Sequence, residues 1–256
     1  TDSLAAHKKM EDIFGDLKNK ILKMSPQSAE LAKHALNAFL ATSLSFTYDI
    51  ADSCELAGAD ILDVMKAVRA DSRVGPRAYL DASLGFSGGT LGRDLGILMS
   101  SVDNNPDIFP VIAGVLKKNR ERRRILIDRL NKELSTLNGK TVAIFGLTYK
   151  AGTRTLRRSL ALEIADDLRF NGAMPRLYDS QVKGKDIFRD PNQATENSHA
   201  LVVLTSWPEF KFLDFNKLAG LMKEPRIFYD TRNFFSYEED KIKSAGFKYL
   251  GVGRSV

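Results

Sequence analysis

Cysteine is almost absent. Cys54 stands alone in a chain of 256 residues, so no intrachain disulfide can staple the fold. With three histidines beside that single thiol, a metal cage is not expected. No apolar run approaches the roughly 18 residues that a membrane helix requires, so no membrane partner is expected. The dinucleotide fingerprint G-x-G-x-x-G occurs nowhere in the chain. The N-terminal stretch TDSLAAHKKMEDIFGDLKNK is charged and amphipathic, which is not the pattern of a secretory leader. Repeats and low-complexity tracts are also missing. These absences point to a soluble, cytoplasmic protein held together by its core.

The composition can supply that core. Hydrophobic residues make up 43% of the chain and charged residues 27%, which fits a folded globular protein of one large domain or two ordinary ones. The formal net charge of +6 suggests an anionic partner: a nucleic acid, a membrane surface or a phosphorylated small molecule.

Periodicity divides the chain near Asn138-Gly139. Before that point apolar residues recur at threes and fours. Leu31, Ala35, Phe39, Leu40, Leu44, Phe46, Ile50 and Leu56 predict a long helix over 28–58, started near Pro26-Ser28 and stopped by Gly58. Asp60 is placed to cap a second helix over Ile61–Ala70, and a third runs from about Phe109 to Leu137. Such long helices carry more apolar stripe than one small sheet can cover, so a homodimer through the helical half is expected. After Gly139, strand-like runs at 140–147, 174–179, 199–205, 226–230 and 247–252 alternate with helical stretches. Continuous apolar strands separated by helices predict a doubly wound, Rossmann-like parallel sheet. The expected fold class is therefore α/β. Residues 28–138 are read as a helical domain and 139–256 as the sheet domain.

Ligands of such sheets bind beyond the carboxyl ends of the strands. The loop following the first strand, Thr148 to Arg158, carries Lys150, Arg154, Arg157 and Arg158 into a helix N-terminus, a suitable setting for a phosphate or pyrophosphate. Arg232, in Asp230-Thr231-Arg232-Asn233, adds a cation on the same edge. The bland alternative for both is a solvated loop. In the helical half, Lys33 and Asn37 share a helix face at i, i+4, although a snorkelling lysine beside a surface amide would look the same. The stretch Leu84–Asp94 concentrates glycines around Phe86 and Gly88, which suits either close ligand contact or a flexible connector. Cys54 reads as a small core residue. Lys117–Arg124 is the one nucleic-acid-like patch, but it lacks interleaved aromatics and reads better as a solvated helix face.

Together these stretches resemble the nucleotide-sugar 6-dehydrogenases, the UDP-glucose and GDP-mannose dehydrogenase family. AELAKHALNAFLATSLSF (29–46) is similar to the opening of the family's long central helix, and GPRAYLDASLGFSGGTLGRD (75–94) to its substrate loop. GKTVAIFGLTYKAGT (139–153), ALVVLTSWPEF (200–210), YDTRN (229–233) and GFKYLGVGR (246–254) resemble its sugar-nucleotide-binding domain. The resemblance implies a dimerising central domain, a UDP-sugar partner and oxidation of the sugar C6 alcohol to a carboxylate by NAD. Lys33, Asn37, Thr90 and Asp94 then fall at the catalytic positions. Lys150, Arg157 and Arg232 would hold the diphosphate, with Tyr79, Leu80, Phe86 and Gly88 along the sugar.

The departures from the family pattern are specific. Thr90 stands where the family has its nucleophilic cysteine, and an alcohol is a far poorer nucleophile than a thiolate near neutral pH. Gly92 and Arg93 replace a proline and a lysine, while Asp94 keeps the aspartate. Arg154-Thr155 stand where the family has an acidic pair, and Arg158 where it has an acid, which makes the phosphate-side loop more cationic. The resemblance implies that the family's NAD-binding domain would precede this chain, with residues 1–27 a remnant of it or a linker from it, so these residues alone are expected to bind UDP-sugar and dimerise without turnover. A non-catalytic, nucleotide-sugar-binding or regulatory paralogue is the alternative.

Overall fold

A computed structural model describes residues 3–87 and 89–254. The helical part comes first. A short amphipathic helix α1 (Leu4–Phe14) is capped by Ser3, whose side chain accepts from the Ala6 N–H, and none of its residues is buried. Helix α2 spans Pro26–Ala57. Its cap is Ser25, not the Ser28 that the sequence suggested, because Pro26 needs no N–H partner at the first helical position. Gly58 ends it in the left-handed region, as expected of a terminal glycine. Helix α3 (Ile61–Ala70) starts at Asp60, whose carboxylate accepts from the Leu62 N–H at 2.8 Å. Helix α4 (Leu91–Ser100) was not expected, and the long α5 (Pro110–Leu134) packs against both α2 and α4. Cys54 is buried in the core, where burial pushes its thiol pKa up.

The remainder is a six-stranded, all-parallel sheet. The elements run β1 (Thr141–Phe145), α6 (Leu160–Phe170), β2 (Met174–Tyr178), β3 (Ile187–Phe188), α7 (Pro191–Thr195), β4 (Ala200–Val203), α8 (Phe215–Leu221), β5 (Ile227–Asp230), α9 (Glu239–Ser244) and β6 (Lys248–Gly251). The strand order is β3-β2-β1-β4-β5-β6, with the topological switch between β1 and β4. Strand β3 and helix α7 are too short to leave a periodic signal and were not foreseen.

The continuous apolar strands serve two cores at once. Val142, Ile144, Val202, Tyr229 and Leu250 face one side with Ile164 and Leu168 of α6. That same cluster takes Leu126, Leu130 and Leu134 of α5 and Ile61 and Met65 of α3, so the helical half packs directly onto the sheet. On the opposite side Phe145, Val203 and Phe228 pack with Phe215, Leu218 and Ile242. Burying each such side chain contributes about 1.5–3 kcal/mol, so the two faces dominate the stability. The tail after β6 is bound to the helices. Gly253 lies so close to α2 and α3 that an added Cβ would sit 2.7 Å from the Ala51 Cβ and 2.8 Å from the Ile61 Cβ.

Candidate functional site

A cleft of about 820 Å³ opens where α3 and the segment following it meet the carboxyl end of β5. Lys66 and Arg69 of α3, Leu80 and Asp81 of the following segment, Arg232 beyond β5 and Arg254 of the tail line it. Strand β5 positions Arg232 through a buried carboxylate: Asp230 Oδ1 accepts the Arg232 N–H at 3.1 Å, while Oδ2 accepts Phe235 N–H at 2.7 Å and the Tyr249 hydroxyl at 2.9 Å. Burial raises the Asp230 pKa in spite of those donors. The Thr231 hydroxyl donates to the Val203 carbonyl at 2.6 Å, and the Arg232 Nε donates to the Leu204 carbonyl at 3.2 Å. Arg232 thus projects from the ligand-binding edge of the sheet towards the helices. There its charge acts on Tyr48, whose phenol burial pushes up to about 12 against the Ser83 hydrogen bond and the nearby Arg232 and Arg122 charges.

The opposite wall has no regular secondary structure, so its backbone groups must be satisfied otherwise. Side chains from α3 and α5 do much of this. Arg69 donates to the carbonyls of Ala78 (3.2 Å) and Leu80 (2.9 Å). The fully buried Arg122 donates twice to the Ser83 carbonyl, at 3.2 and 3.0 Å, and lies over the Tyr48 ring. Asn119 closes a reciprocal pair on Phe86, accepting from its N–H at 2.8 Å and donating to its carbonyl at 3.0 Å. Gly85 is required there, since a Cβ would meet the Asn119 Oδ1 at 2.9 Å with φ at +112°. The sequence-predicted sugar-side residues therefore separate. Leu80 lines the cleft, Tyr79 is exposed, and Phe86 packs into the helical core beside Tyr48 and Leu95. Gly88 lies outside the described residues.

In the first βα loop the cations lie at the surface ahead of the α6 N-terminus. Lys150, Arg154, Arg157 and Arg158 are all exposed. The α6 N-terminus is closed by its own cap, with Ser159 Oγ accepting from the Ala161 N–H at 3.2 Å. Lys150 lies over the ring of its neighbour Tyr149 at 5.7 Å. The loop root is nonetheless fixed. Buried Asp179 accepts from Leu147 N–H (2.7 Å) and the Trp207 indole (3.1 Å), joining the ends of β1, β2 and β4. Gly146, at φ +86°, lets that junction close, because a Cβ there would sit 2.6 Å from both Cβ and N of Thr205. The loop also touches the glycine stretch, as the Ser87 hydroxyl donates to the Arg158 carbonyl.

The second predicted group assembles in part. The Asn37 amide donates to Asp94 Oδ2 at 2.5 Å, and both residues are buried. Arg93 Nε donates to Asp94 Oδ1 at 3.1 Å, and His34 Nδ1 stands 3.6 Å from Oδ2. Burial alone would raise the Asp94 pKa, but the Asn37 and Arg93 hydrogen bonds and the nearby His34 outweigh it and hold the carboxylate below its ordinary range. Lys33, one turn before Asn37, is exposed. Thr90 is also exposed, at the head of α4, and its side chain makes no capping bond. His34 went unnoticed in the sequence; its i, i+3 spacing to Asn37 was the available signal.

The cationic run on α5 is a solvated face only in part: Lys117, Arg120 and Arg124 are exposed, and the other cations turn to neighbouring helices. Lys118 pairs with Asp49 at 2.6 Å and Asp52 at 2.7 Å, buried Arg122 pairs with Asp52, and Arg123 reaches Glu163 of α6 at 2.8 Å. These cations tie α5 to α2 and α6, leaving fewer of them for phosphates. Among the described residues, no group of three or more His, Cys, Asp or Glu side chains could hold a metal ion. No helix among them is long and apolar enough to cross a membrane.

Comparison with known proteins places this arrangement. Residues 27–121 match the central domain of the UDP-glucose/GDP-mannose dehydrogenase family, and residues 143–237 match that family's UDP binding domain. The chain belongs to this family. It is 35% identical over 254 residues to the UDP-glucose 6-dehydrogenase TuaD of Bacillus subtilis, covering 96% of this chain and 54% of that protein. It is also 35% identical over 240 residues to a UDP-glucose 6-dehydrogenase of Rickettsia bellii, covering 90% of this chain and 54% of that protein. The chain thus spans about half the length of the curated relatives it matches. Among solved structures, a UDP-glucose dehydrogenase from Pyrobaculum islandicum superposes with a TM-score of 0.79 at 25% identity, over 99% of this chain and 57% of that one. A UDP-D-ManNAc dehydrogenase from Pyrococcus horikoshii shares the fold, with a TM-score of 0.78 at 23% identity over 96% of this chain and 58% of that one.

The family's central-domain match contains Lys33, Asn37, Arg69, Leu80, Thr90 and Asp94, while the UDP-binding match contains Lys150, Arg157 and Arg232. The cleft is therefore walled by both matched segments. Arg254, on its floor, lies beyond either.

Proposed function

We propose that this chain is the substrate-holding portion of a UDP-glucose 6-dehydrogenase-like protein, with a helical dimerisation domain (28–138), a UDP-sugar-binding domain (139–256) and residues 1–27 leading into them. The observation that carries this reading is the cleft between the two matched segments, with Arg232 fixed at the carboxyl edge of β5 and facing the tethered Leu80 wall. A nucleoside diphosphate suits it: the guanidinium supplies paired donors for phosphate oxygens, and Leu80 supplies an apolar surface. Lys150 and Arg157, exposed on the loop after β1, are assigned to the same diphosphate. The homodimer would form through α2, which leaves Leu31 (58%), Leu36 (54%) and Phe39 (69%) exposed.

Lys33, Asn37, Thr90 and Asp94 are assigned to the reacting end of the sugar. Asn37 has one amide hydrogen committed to Asp94 and a second available for a developing oxyanion, with Lys33 one turn away. Asp94, held as a carboxylate, is suited to orient a water. NAD, the oxidant the family uses, does not fit the residues present: the loop after β1 lacks the G-x-G-x-x-G turn, and its first glycine, Gly146, is wedged on Thr205. We assign it no contact in this chain.

One observation favours the non-catalytic alternative. The Thr90 hydroxyl makes no hydrogen bond to any base among the described residues, so nothing activates it as a nucleophile. Thermal-shift assays with UDP-glucose, UDP and ADP test the binding reading. Stabilisation by the two uridine ligands and not by ADP supports it, and the absence of a UDP-glucose shift at millimolar concentration overturns it.

A further inference from the structure

We propose that Arg69 is a positioning residue of the cleft: it holds the Ala78–Asp81 wall in the shape that receives the nucleoside part of the ligand, which moves Leu80 from the sugar side, where the resemblance put it, to the nucleoside side. The inference rests on the UDP-sugar reading of this cleft and goes beyond it, since the resemblance assigned Arg69 no role.

The geometry is that of a clamp. From the last turn of α3, the Arg69 guanidinium reaches three acceptors on a segment with no regular secondary structure. Its Nε donates to the Ala78 carbonyl at 3.2 Å, and Nη2 donates to the Leu80 carbonyl at 2.9 Å and to Asp81 Oδ1 at 2.8 Å. A rigid planar fork can meet three acceptors at once; the single ammonium of a lysine cannot hold them in that arrangement. Asn119 and Arg122 secure the same segment further along, at Phe86 and Ser83, but of the three clamping side chains Arg69 alone lines the cleft. The bond to Asp81 offsets its charge, so its contribution is one of shape more than of attraction for phosphate. Without it, the Leu80 carbonyl would lose its donor, the Ala78 carbonyl would keep only the Leu80 N–H at 2.9 Å, and the wall facing Arg232 would have to be ordered by the ligand itself. Ordering a loop on binding weakens affinity without removing any direct contact.

This separates two kinds of ligand. Loss of Arg69 should weaken ligands that carry the nucleoside, whereas loss of Arg232 should weaken ligands through their diphosphate. The test is calorimetry on the whole chain with UDP, uridine and inorganic pyrophosphate, for wild type, Arg69→Met, Arg69→Lys and Arg232→Ala. Hydrogen exchange of the amides in 78–84 is followed in parallel without ligand. The expected result is a loss of tenfold or more for UDP and uridine in Arg69→Met, with pyrophosphate unchanged, a smaller loss in Arg69→Lys, and faster exchange confined to 78–84. UDP binding as tight as wild type in either Arg69 variant would overturn the inference. So would an equal loss of pyrophosphate, or global unfolding of Arg69→Lys, since either would make Arg69 a general structural residue. If wild type itself binds no UDP, the parent reading fails, and unchanged exchange at 78–84 in Arg69→Met would then separately refute the clamp.

Discussion

The Asn37 amide meets the Asp94 carboxylate at 2.5 Å across 57 positions of sequence, joining the first long helix to the helix that follows the glycine stretch. Asp94 is 1% exposed, so this bond decides whether a buried charge is tolerated there. Replacing Asn37 by Leu should destabilise the fold by roughly 1–3 kcal/mol, the cost of a buried acceptor left without its donor. Urea denaturation of the variant checks this; a midpoint unchanged from wild type would contradict it.

The same pair sets a pH dependence. The folded Asp94 pKa lies below the ordinary 3.8, so its contribution is present above that unfolded value and is lost as pH falls through the folded one. The Tm difference between wild type and Asp94→Asn should accordingly be full at pH 7 and shrink below about pH 4. A difference that grew on acidification would reverse the sign and refute the assignment.

Gly146 should tolerate no side chain. Its φ of +86° and the 2.6 Å approach to Thr205 oppose a Cβ on both counts. A left-handed conformation alone costs an L-residue about 1–2 kcal/mol. Gly146→Ala is therefore expected to lose more than about 2 kcal/mol once the clash is added, whereas Gly152→Ala, with a positive φ but open space around it, should lose less. Equal losses in the two variants would mean that the β1–β4 junction is looser than it looks.

Much of this architecture was legible in the sequence, and the exceptions have physical causes. The Asp60 cap, the Gly58 stop and the β-branched runs of β1 and β4 are local signals, and they fall where expected. Helix α4 was missed because Gly92 and Gly96 depress its propensity and the helix forms only by packing Leu95 and Met99 inward. The α5 cations were read as a solvated face because their partners, Asp49, Asp52 and Glu163, lie on other helices. Arg69 left no trace for a related reason: two of its three acceptors are backbone carbonyls, which carry no sequence signature. The family resemblance pointed to Lys33, Asn37, Thr90 and Asp94, yet only the Asn37–Asp94 contact brings two of them into direct bonding.

Thiol chemistry can report on position 90. Cys54 is 4% exposed and burial raises its pKa, so the native chain should react slowly with Ellman's reagent. Thr90→Cys, at an exposed helix start, should add one rapidly reacting thiol per chain. If the new thiol reacts as slowly as Cys54, then residue 90 is not open to a substrate.

The helical half should associate through α2. Phe39, 69% exposed beside an apolar groove of about 350 Å³ formed with Leu31, Leu98 and Ile112, is the side chain to change. Light scattering at micromolar concentration should give a dimer mass for wild type and a monomer mass for Phe39→Glu. A wild-type monomer would remove the proposed interface.

Titration of UDP into the intact chain, with and without Arg232→Ala, bears most directly on the proposed substrate site. Wild type should bind, and the variant should bind more weakly by roughly 1.5–3 kcal/mol, the scale of hydrogen bonds to a charged group. UDP binding that Arg232→Ala leaves unchanged would contradict the account.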